Sequence, residues 1–180
     1  GAHSRGDGLS GVQVHMTNTS NLPVEALERE YPILVERYEL IRDSGGPGLH
    51  RGGLGIRRDF RILHDGLSFT GLGDRHKFAP WGIRGGKSGA PGRFSVAHRG
   101  EPMRRLKSKV SGVVLNREDL VSICSPGAGG YGDPYLRPEE RVLRDVMEGK
   151  VSAESAAEDY GVVVVRRDGV YAVDTEATRA

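Results

Sequence analysis

The chain has 180 residues, 37% hydrophobic and 28% charged, with a formal net charge of +2; this is enough apolar material for one ordinary core and too little net charge to draw in nucleic acid. No apolar run approaches the ~20 residues of a membrane-spanning helix, and the opening "GAHSRGDG" lacks the charged lead and apolar stretch of a secretion signal. With Cys124 alone, no internal disulfide forms, so a cytoplasmic protein with neither a membrane nor a nucleic-acid partner is expected.

Residues 1 to 20 are polar and lack periodicity. Within and just after them, "HMTNTSN", His15 to Asn21, gathers an imidazole, the carboxamide of Asn18 and several hydroxyls without a compensating apolar face. Such a segment either caps and turns or lines a polar pocket. On the second reading His15 and Asn18 are the catalytic candidates, His15 as acid or base. Asn21 is placed to cap a short helix through "LPVEALERE", with Pro23 in its first turn, and Tyr31-Pro32 ends it. "ILVERYELI", Ile33 to Ile41, reads as a strand, followed by the turn "DSGGPG".

From Gly55 onward Ile56, Phe60 and Ile62 alternate with Arg57, Asp59 and Arg61, the period of a half-buried antiparallel strand. "GLSFTGL" and "RFSVAH" are shorter strands, and "KVSGVVL" and "DLVSIC" flank the polar turn "NRED" as a hairpin. Between them, residues 71–93 are dominated by Gly and Pro. A connection this long is functional or interfacial when it is ordered, and it is too poor in apolar residues to fold on its own contacts.

"SPGAGGYGDP", Ser125 to Pro134, places Gly127, Gly129 and Gly132 at the spacing of a dinucleotide fingerprint behind a strand. The fingerprint also needs a helix opening on the third glycine, and the next helical pattern waits until Pro138. Gly127, Gly129, Gly130 and Gly132 are therefore either a substrate- or phosphate-binding cradle or a bend that brings backbones together. "GIRGGKSG" carries the end of a phosphate-binding loop, but Trp81 stands where that motif needs its first glycine, and Lys87 is expected to face solvent.

In the tail, "PEERVLRDVMEGK" reads as a helix with Pro138 in its first turn, Glu139 and Glu140 at the positive end of the dipole, and Val142, Leu143, Val146 and Met147 on one face. "SAESAAEDYG" follows with Ser152 as cap and Gly161 as terminator, "VVVV" is a final strand, and "DTEATRA" is expected to fray. The expected fold is α+β, with β-rich antiparallel sheets followed by two short C-terminal helices. Residues 1–136 form the β-rich region and 137–180 the helical hairpin and strand, together one domain of a longer parent chain.

Only five of the 26 basic residues are lysines, and the arginines are interleaved with acids, which reads as ion pairs and solvated faces. The six histidines never stand at a spacing that puts two ligands on one turn or strand face, so no metal site within the chain is expected. Cys124 ends an apolar strand and is read as a core thiol.

Taken in order, "HMTNTSNLPVEALEREYPILVERYELIRDSGGPGLHRGGLGI", "FAPWGIRGGKSGAPG", "LKSKV" and "SPGAGGYGDP" followed by "VLRDVMEGKVSAESAAEDYGVV" resemble the C-terminal part of hydantoinase B, the family of N-methylhydantoinase B and oxoprolinase subunits. The resemblance implies an ATP-dependent cyclic-amide hydrolase that works as a hetero-oligomer. ATP and Mg²⁺ would enter through a hydantoinase A-like partner, and a divalent metal would be held in the N-terminal part that family members carry and this chain lacks. Two alternatives stay open: a non-catalytic assembly module, and a component of an acetone- or acetophenone-type carboxylase.

Overall fold

The structure, a computed structural model, describes residues 1–12, 21–167 and 169–178. Helix α1 (Val24–Glu30) is followed by β1 (Ile33–Leu40), β2 (Ile56–Ile62), β3 (Leu67–Leu72), β4 (Arg93–Ala97), β5 (Arg104–Arg105), β6 (Lys109–Leu115) and β7 (Leu120–Cys124). A 3₁₀ turn (Pro134–Leu136) leads into α2 (Glu139–Met147), α3 (Ala153–Tyr160), β8 (Val164–Arg167), β9 (Val170–Val173) and α4 (Thr175–Thr178). The α+β expectation holds, with antiparallel sheets first and helices gathered at the end.

Strands β1-β2-β7-β4-β5, in that order, make one five-stranded antiparallel sheet, and β3 and β6 make a separate ribbon. The ribbon lies over one face of the sheet. Ile62, Val96 and Val121 from the sheet form one buried cluster with Leu115 from the ribbon, and Leu67 and Phe69 pack against it. This arrangement corrects the expected hairpin. β6 pairs with β3, whereas β7 pairs with β2 and β4, so residues 116–119 turn a corner between two layers. Glu118 adopts a positive φ there. The buried carboxylate of Asp119 accepts from the N–H groups of Asn116 and Arg99 and meets His98 Nδ1 at 2.7 Å, which fixes the corner.

β2 forms as a strand, but the expected half-buried alternation does not hold: its two buried residues, Asp59 and Ile62, lie on opposite faces, and Ile56 and Phe60 are only half-buried. Asp59 is only 1% exposed, with Arg57 Nη2 at 2.7 Å and Arg37 Nε at 3.5 Å. Burial pushes this carboxyl up, and the hydrogen bonds from Arg57 and Ser122 with the charges of Arg57 and Arg37 hold it below the usual range.

At the N-terminal end, α1 begins after Pro23 without a side-chain cap. The expected cap, Asn21, instead accepts from Arg58 Nη2 at 2.7 Å. In the tail, Ser152 accepts from the N–H of Ser155 at 3.0 Å and Gly161 takes φ +70°, so α3 starts and stops as read. Val142, Val146, Val151, Ala156, Tyr160, Val162 and Val164 form a second cluster. Met147 lies outside it, exposed, and Asp145 is buried on that helix instead. The last strand is half of a β8–β9 hairpin. Residues 175–178 make a helical turn where fraying was expected, with the N–H of Ala177 donating to Asp174 Oδ1.

Candidate functional site

Segments 44–55, 80–92 and 126–132 have almost no apolar side chains to bury, yet they are ordered against one another, because their backbones satisfy one another directly. The N–H of Ala90 donates to Ser44 O (2.8 Å) and that of Gly127 to Ala90 O (2.9 Å). Gly46 donates to Ala128 O (2.8 Å), and Ala128 donates to Gly53 O (2.8 Å). Further along, Lys87 donates to Pro47 O, Gly130 to Lys87 O, and His50 and Tyr131 exchange a pair of bonds.

Such proximity admits no side chain. A Cβ on Gly127 would stand 1.7 Å from Ser44 O, one on Gly52 1.9 Å from Ala128 O, and one on Gly129 1.9 Å from Trp81 O. The composition of "SPGAGGYGDP" is therefore explained by close backbone approach. Residues 73–92 gain their order from this stack and from the ring of His76, which lies 4.5 Å from that of Phe94.

Of the glycines read as a cradle, Gly127, Gly130 and Gly132 donate their N–H groups to Ala90 O, Lys87 O and Ile83 O, and Gly129 O accepts from Ala2. The element that follows is a three-residue 3₁₀ turn beginning with Pro134. The donors and helix terminus of a nucleotide pyrophosphate site are thus not assembled at these glycines, and the residues present do not fit ATP there. Lys87, expected in solvent, pairs with Asp159 of α3 at 2.9 Å. Cys124 is a buried free thiol.

An open cleft of about 670 Å³ borders the stack. Leu9, Leu22, Tyr38, Leu54, Arg58 and Ser125 are among its walls, with Gly53 and Ala128 of the stack beside them. The Arg58 guanidinium stacks over the Tyr38 ring at 4.4 Å and donates to Tyr38 Oη at 2.8 Å. Val12 and Asn21, which flank residues 13–20, both line this cleft. His15 and Asn18 lie outside the described residues.

Where the stack meets the C-terminal helices there is a network the sequence reading missed. The buried Arg137 forks onto Asp7, Nη1 to Oδ1 at 2.8 Å and Nη2 to Oδ2 at 2.9 Å, and Nη2 also reaches Asp145 Oδ2 at 2.7 Å. Arg51 Nε donates to the same Asp145 oxygen, and Arg141 donates to Asp7. Burial pushes the Asp7 carboxyl up, but the Arg137 hydrogen bond and charge, the Arg51 N–H and the Arg141 charge outweigh it and hold its pKa down at about 2. Burial above all pushes the neighbouring Tyr160 hydroxyl well above its ordinary value. The network anchors residues 1–10, and through them one wall of the cleft.

Among the described residues no group of three His, Cys, Asp or Glu side chains could hold a metal ion, and no helix is long and apolar enough to cross a membrane.

Residues 1–134 match the sequence profile of the family described as hydantoinase B/oxoprolinase. The B component of a putative D-/L-hydantoinase from a Pseudomonas species is 37% identical over 159 residues, covering 88% of this chain and 27% of that protein. The nucleotide-free structure of an acetone carboxylase, described for ATP-dependent acetone carboxylation, superposes with a TM-score of 0.86 at 25% identity, over 99% of this chain and 28% of its own. The ATP-dependent caprolactamase of Pseudomonas jessenii superposes with a TM-score of 0.69 at 32% identity, over 87% and 27%. The chain thus spans little more than a quarter of each of these proteins.

Proposed function

The chain belongs to the hydantoinase B/oxoprolinase family, and from that membership we propose that it is part of an ATP-dependent cyclic-amide hydrolase subunit working with a hydantoinase A-like, ATP-binding partner. The observation that carries this reading is the extended likeness to the B component of a hydantoinase and to the caprolactamase fold. In this reading ATP and Mg²⁺ belong to the partner, and any divalent metal to polypeptide outside these residues. Phosphorylation of the amide oxygen would remove the resonance that protects the ring C–N bond.

This chain contributes the cleft. His15 serves as acid or base and Asn18 as a hydrogen-bonding group toward the substrate amide. Arg58 lines the cleft with a guanidinium suited to a substrate carboxylate, and Leu9, Leu22 and Leu54 supply an apolar wall for the ring. The glycine stack and the Asp7–Arg137 network hold these walls in place. Gly127, Gly129, Gly130 and Gly132 serve as scaffold beside the substrate.

A second reading, a carboxylase component, is favoured by the higher superposition on acetone carboxylase. One panel separates the two: the chain with its complementary polypeptide and an ATP-binding partner is given ATP with pyroglutamate, a hydantoin or caprolactam, or ATP with labelled bicarbonate and acetone or acetophenone. Substrate-dependent phosphate release with ring opening supports the hydrolase. Incorporation of labelled bicarbonate supports the carboxylase, and absence of both rejects the enzyme reading in favour of an assembly module.

A further inference from the structure

The loop over residues 73–92 turns two features outward that a free surface does not favour. Its backbone is tied to the glycine stack, yet Phe78 and Trp81 are 70% and 65% exposed, and Leu72 at its entry is 76% exposed. Exposed aromatics of this size are uncommon away from interfaces. Each carries a cation on its ring: Arg75 lies 4.3 Å from the centroid of Trp81, and Lys77 5.4 Å from that of Phe78.

Lys77, which lies on the Phe78 ring, also lines a shallow cleft of about 430 Å³ together with His76, Arg105, Lys107 and Lys109. Four of these five are cations and no acid lines the cleft, in a chain whose net charge is only +2. Lys109 stands opposite Leu72 in the β3–β6 register, so the apolar and basic parts adjoin. Arg105 is committed to structure, donating to the carbonyls of His76 and Gly92. Lys77, Lys107 and Lys109 have no salt-bridge partner among the described residues.

We propose that this face, Leu72, Phe78 and Trp81 with Lys77, Lys107 and Lys109, docks an acidic segment with apolar side chains from the polypeptide region that the relatives carry beyond the stretch matched here. The argument is one of charge and of length. A basic cleft bordered by apolar side chains is complementary to acids flanking an apolar anchor, and such anchors dominate interface energetics. The relatives supply the occupant: this chain accounts for 28% of the acetone carboxylase chain and 27% of the caprolactamase chain, and the rest of such a subunit needs surface to pack on. The inference uses the family membership but not the proposed reaction.

The test uses a tagged form of the chain recovered in its native assembly, with the isolated chain as control. Zero-length carbodiimide coupling joins a lysine only to a carboxylate in direct contact, and mass spectrometry identifies both partners. Acrylamide quenching reads Trp81 through 5-hydroxytryptophan, whose absorption extends to longer wavelength than that of tryptophan, incorporated into this chain, which has one Trp. The expected result is coupling of Lys77, Lys107 or Lys109 to Asp or Glu of the complementary subunit region, with Trp81 shielded at least about fivefold relative to the isolated chain. The reversal K77E/K107E/K109E abolishes the coupling and weakens association at least tenfold, while the Tm of the isolated chain stays unchanged because all three side chains are exposed. W81A gives a second variant with the same expectation.

Coupling of these lysines to an ATP-binding subunit assigns the face to that partner and overturns the proposal. An assembly that forms with Trp81 equally quenched and no such coupling overturns the docking face itself. Loss of cyclic-amide turnover with the coupling intact sinks the proposed reaction and leaves this interface standing.

Discussion

Arg137 and Asp7, 130 residues apart in sequence, meet through two parallel hydrogen bonds of 2.8 and 2.9 Å. The Arg137 side chain is 1% exposed, so its charge has no access to water if the partner is lost. Removing one member of a buried pair leaves an uncompensated charge and costs about 3–5 kcal/mol. Asp7→Asn and Asp7→Ala should each lower stability on that scale, softened in the first by the retained carboxamide and by Asp145, which still faces Arg137. Urea unfolding of both variants checks this. A loss below about 1 kcal/mol in Asp7→Ala would show that Arg137 is adequately paired without Asp7.

The same carboxylate gives the fold a pH dependence whose sign can be worked out. Asp7 titrates at about 2 in the folded chain and near ~3.9 when unfolded, so the unfolded state binds its proton first. Its contribution is fully present above pH ~5 and is lost as pH falls through about 2. Asp59 and Asp119 are also held below the usual carboxylate range and add the same sign. Denaturation midpoints measured from pH ~7 down to pH ~2 should fall steadily below pH ~5. In Asp7→Asn the fall should be shallower by one proton's worth of slope; an identical slope in the variant would remove Asp7 from the account.

The parts of this fold carried by local chemistry were legible. The β2 strand, the Ser152 cap and the Gly161 stop are read from a few residues each, and the structure keeps them; the half-buried alternation read for β2 is not kept, because Asp59 on its polar face is buried. What failed was long-range. Leu115 and Val121 belong to one core, yet their strands belong to different layers, and "NRED" as a string does not distinguish a hairpin from a corner between sheets. The Asp7–Arg137–Asp145 network was missed although one signal was present: Asp145 lies three residues from Val142 on the apolar stripe of α2, and a carboxylate on a buried stripe demands a partner. The glycines pointed to close backbone approach or to anion binding, and only the positions of Ser44, Ala90 and Gly53 decide how their N–H and C=O groups are used. The catalytic candidates read from the sequence, His15 and Asn18, lie outside the described residues, while Arg58, which lines the cleft, carried no signal beyond its place in a strand.

Substitution within the glycine stack should separate space from backbone conformation. Gly127→Ala would drive a methyl group to 1.7 Å from Ser44 O and Gly52→Ala to 1.9 Å from Ala128 O, both rigid backbone. Both variants should fail to fold to a cooperative state. Gly66 and Gly100 have positive φ but meet nothing within 4 Å, so alanine there costs only the left-handed strain of ~1–2 kcal/mol. Circular dichroism melts of the four variants test the contrast. Cooperative melting of Gly127→Ala near the parent Tm would mean that the three segments can separate without loss of the fold.

For the proposed acid or base, His15→Ala in the reconstituted enzyme should lower kcat by ~10²-fold or more and flatten the limb of the pH–rate profile that the imidazole sets. Asn18→Ala should also slow turnover, without altering that profile. A folded His15→Ala enzyme with unchanged kinetics and an unchanged profile would assign the segment to capping and turning instead.

Arg58 tests what the cleft recognises. Its guanidinium is held through Nη2 by Tyr38 Oη and Asn21 Oδ1 and stacked on the Tyr38 ring; Arg58 lines the cleft, and its remaining donors suit bidentate binding of a carboxylate. A pyroglutamate carries such a carboxylate and caprolactam carries none. Arg58→Ala should therefore raise KM for pyroglutamate about tenfold, equivalent to ~1.4 kcal/mol, with kcat nearly unchanged, as expected when binding is lost equally in the ground and transition states. Caprolactam kinetics should move less than about twofold. Arg58→Lys should recover little, because a point charge cannot reproduce the planar fork. Equal losses for both substrates would mean that Arg58 acts by holding Tyr38 and Asn21 in position, so that the cleft wall, and not a charge in it, is what the substitution removes.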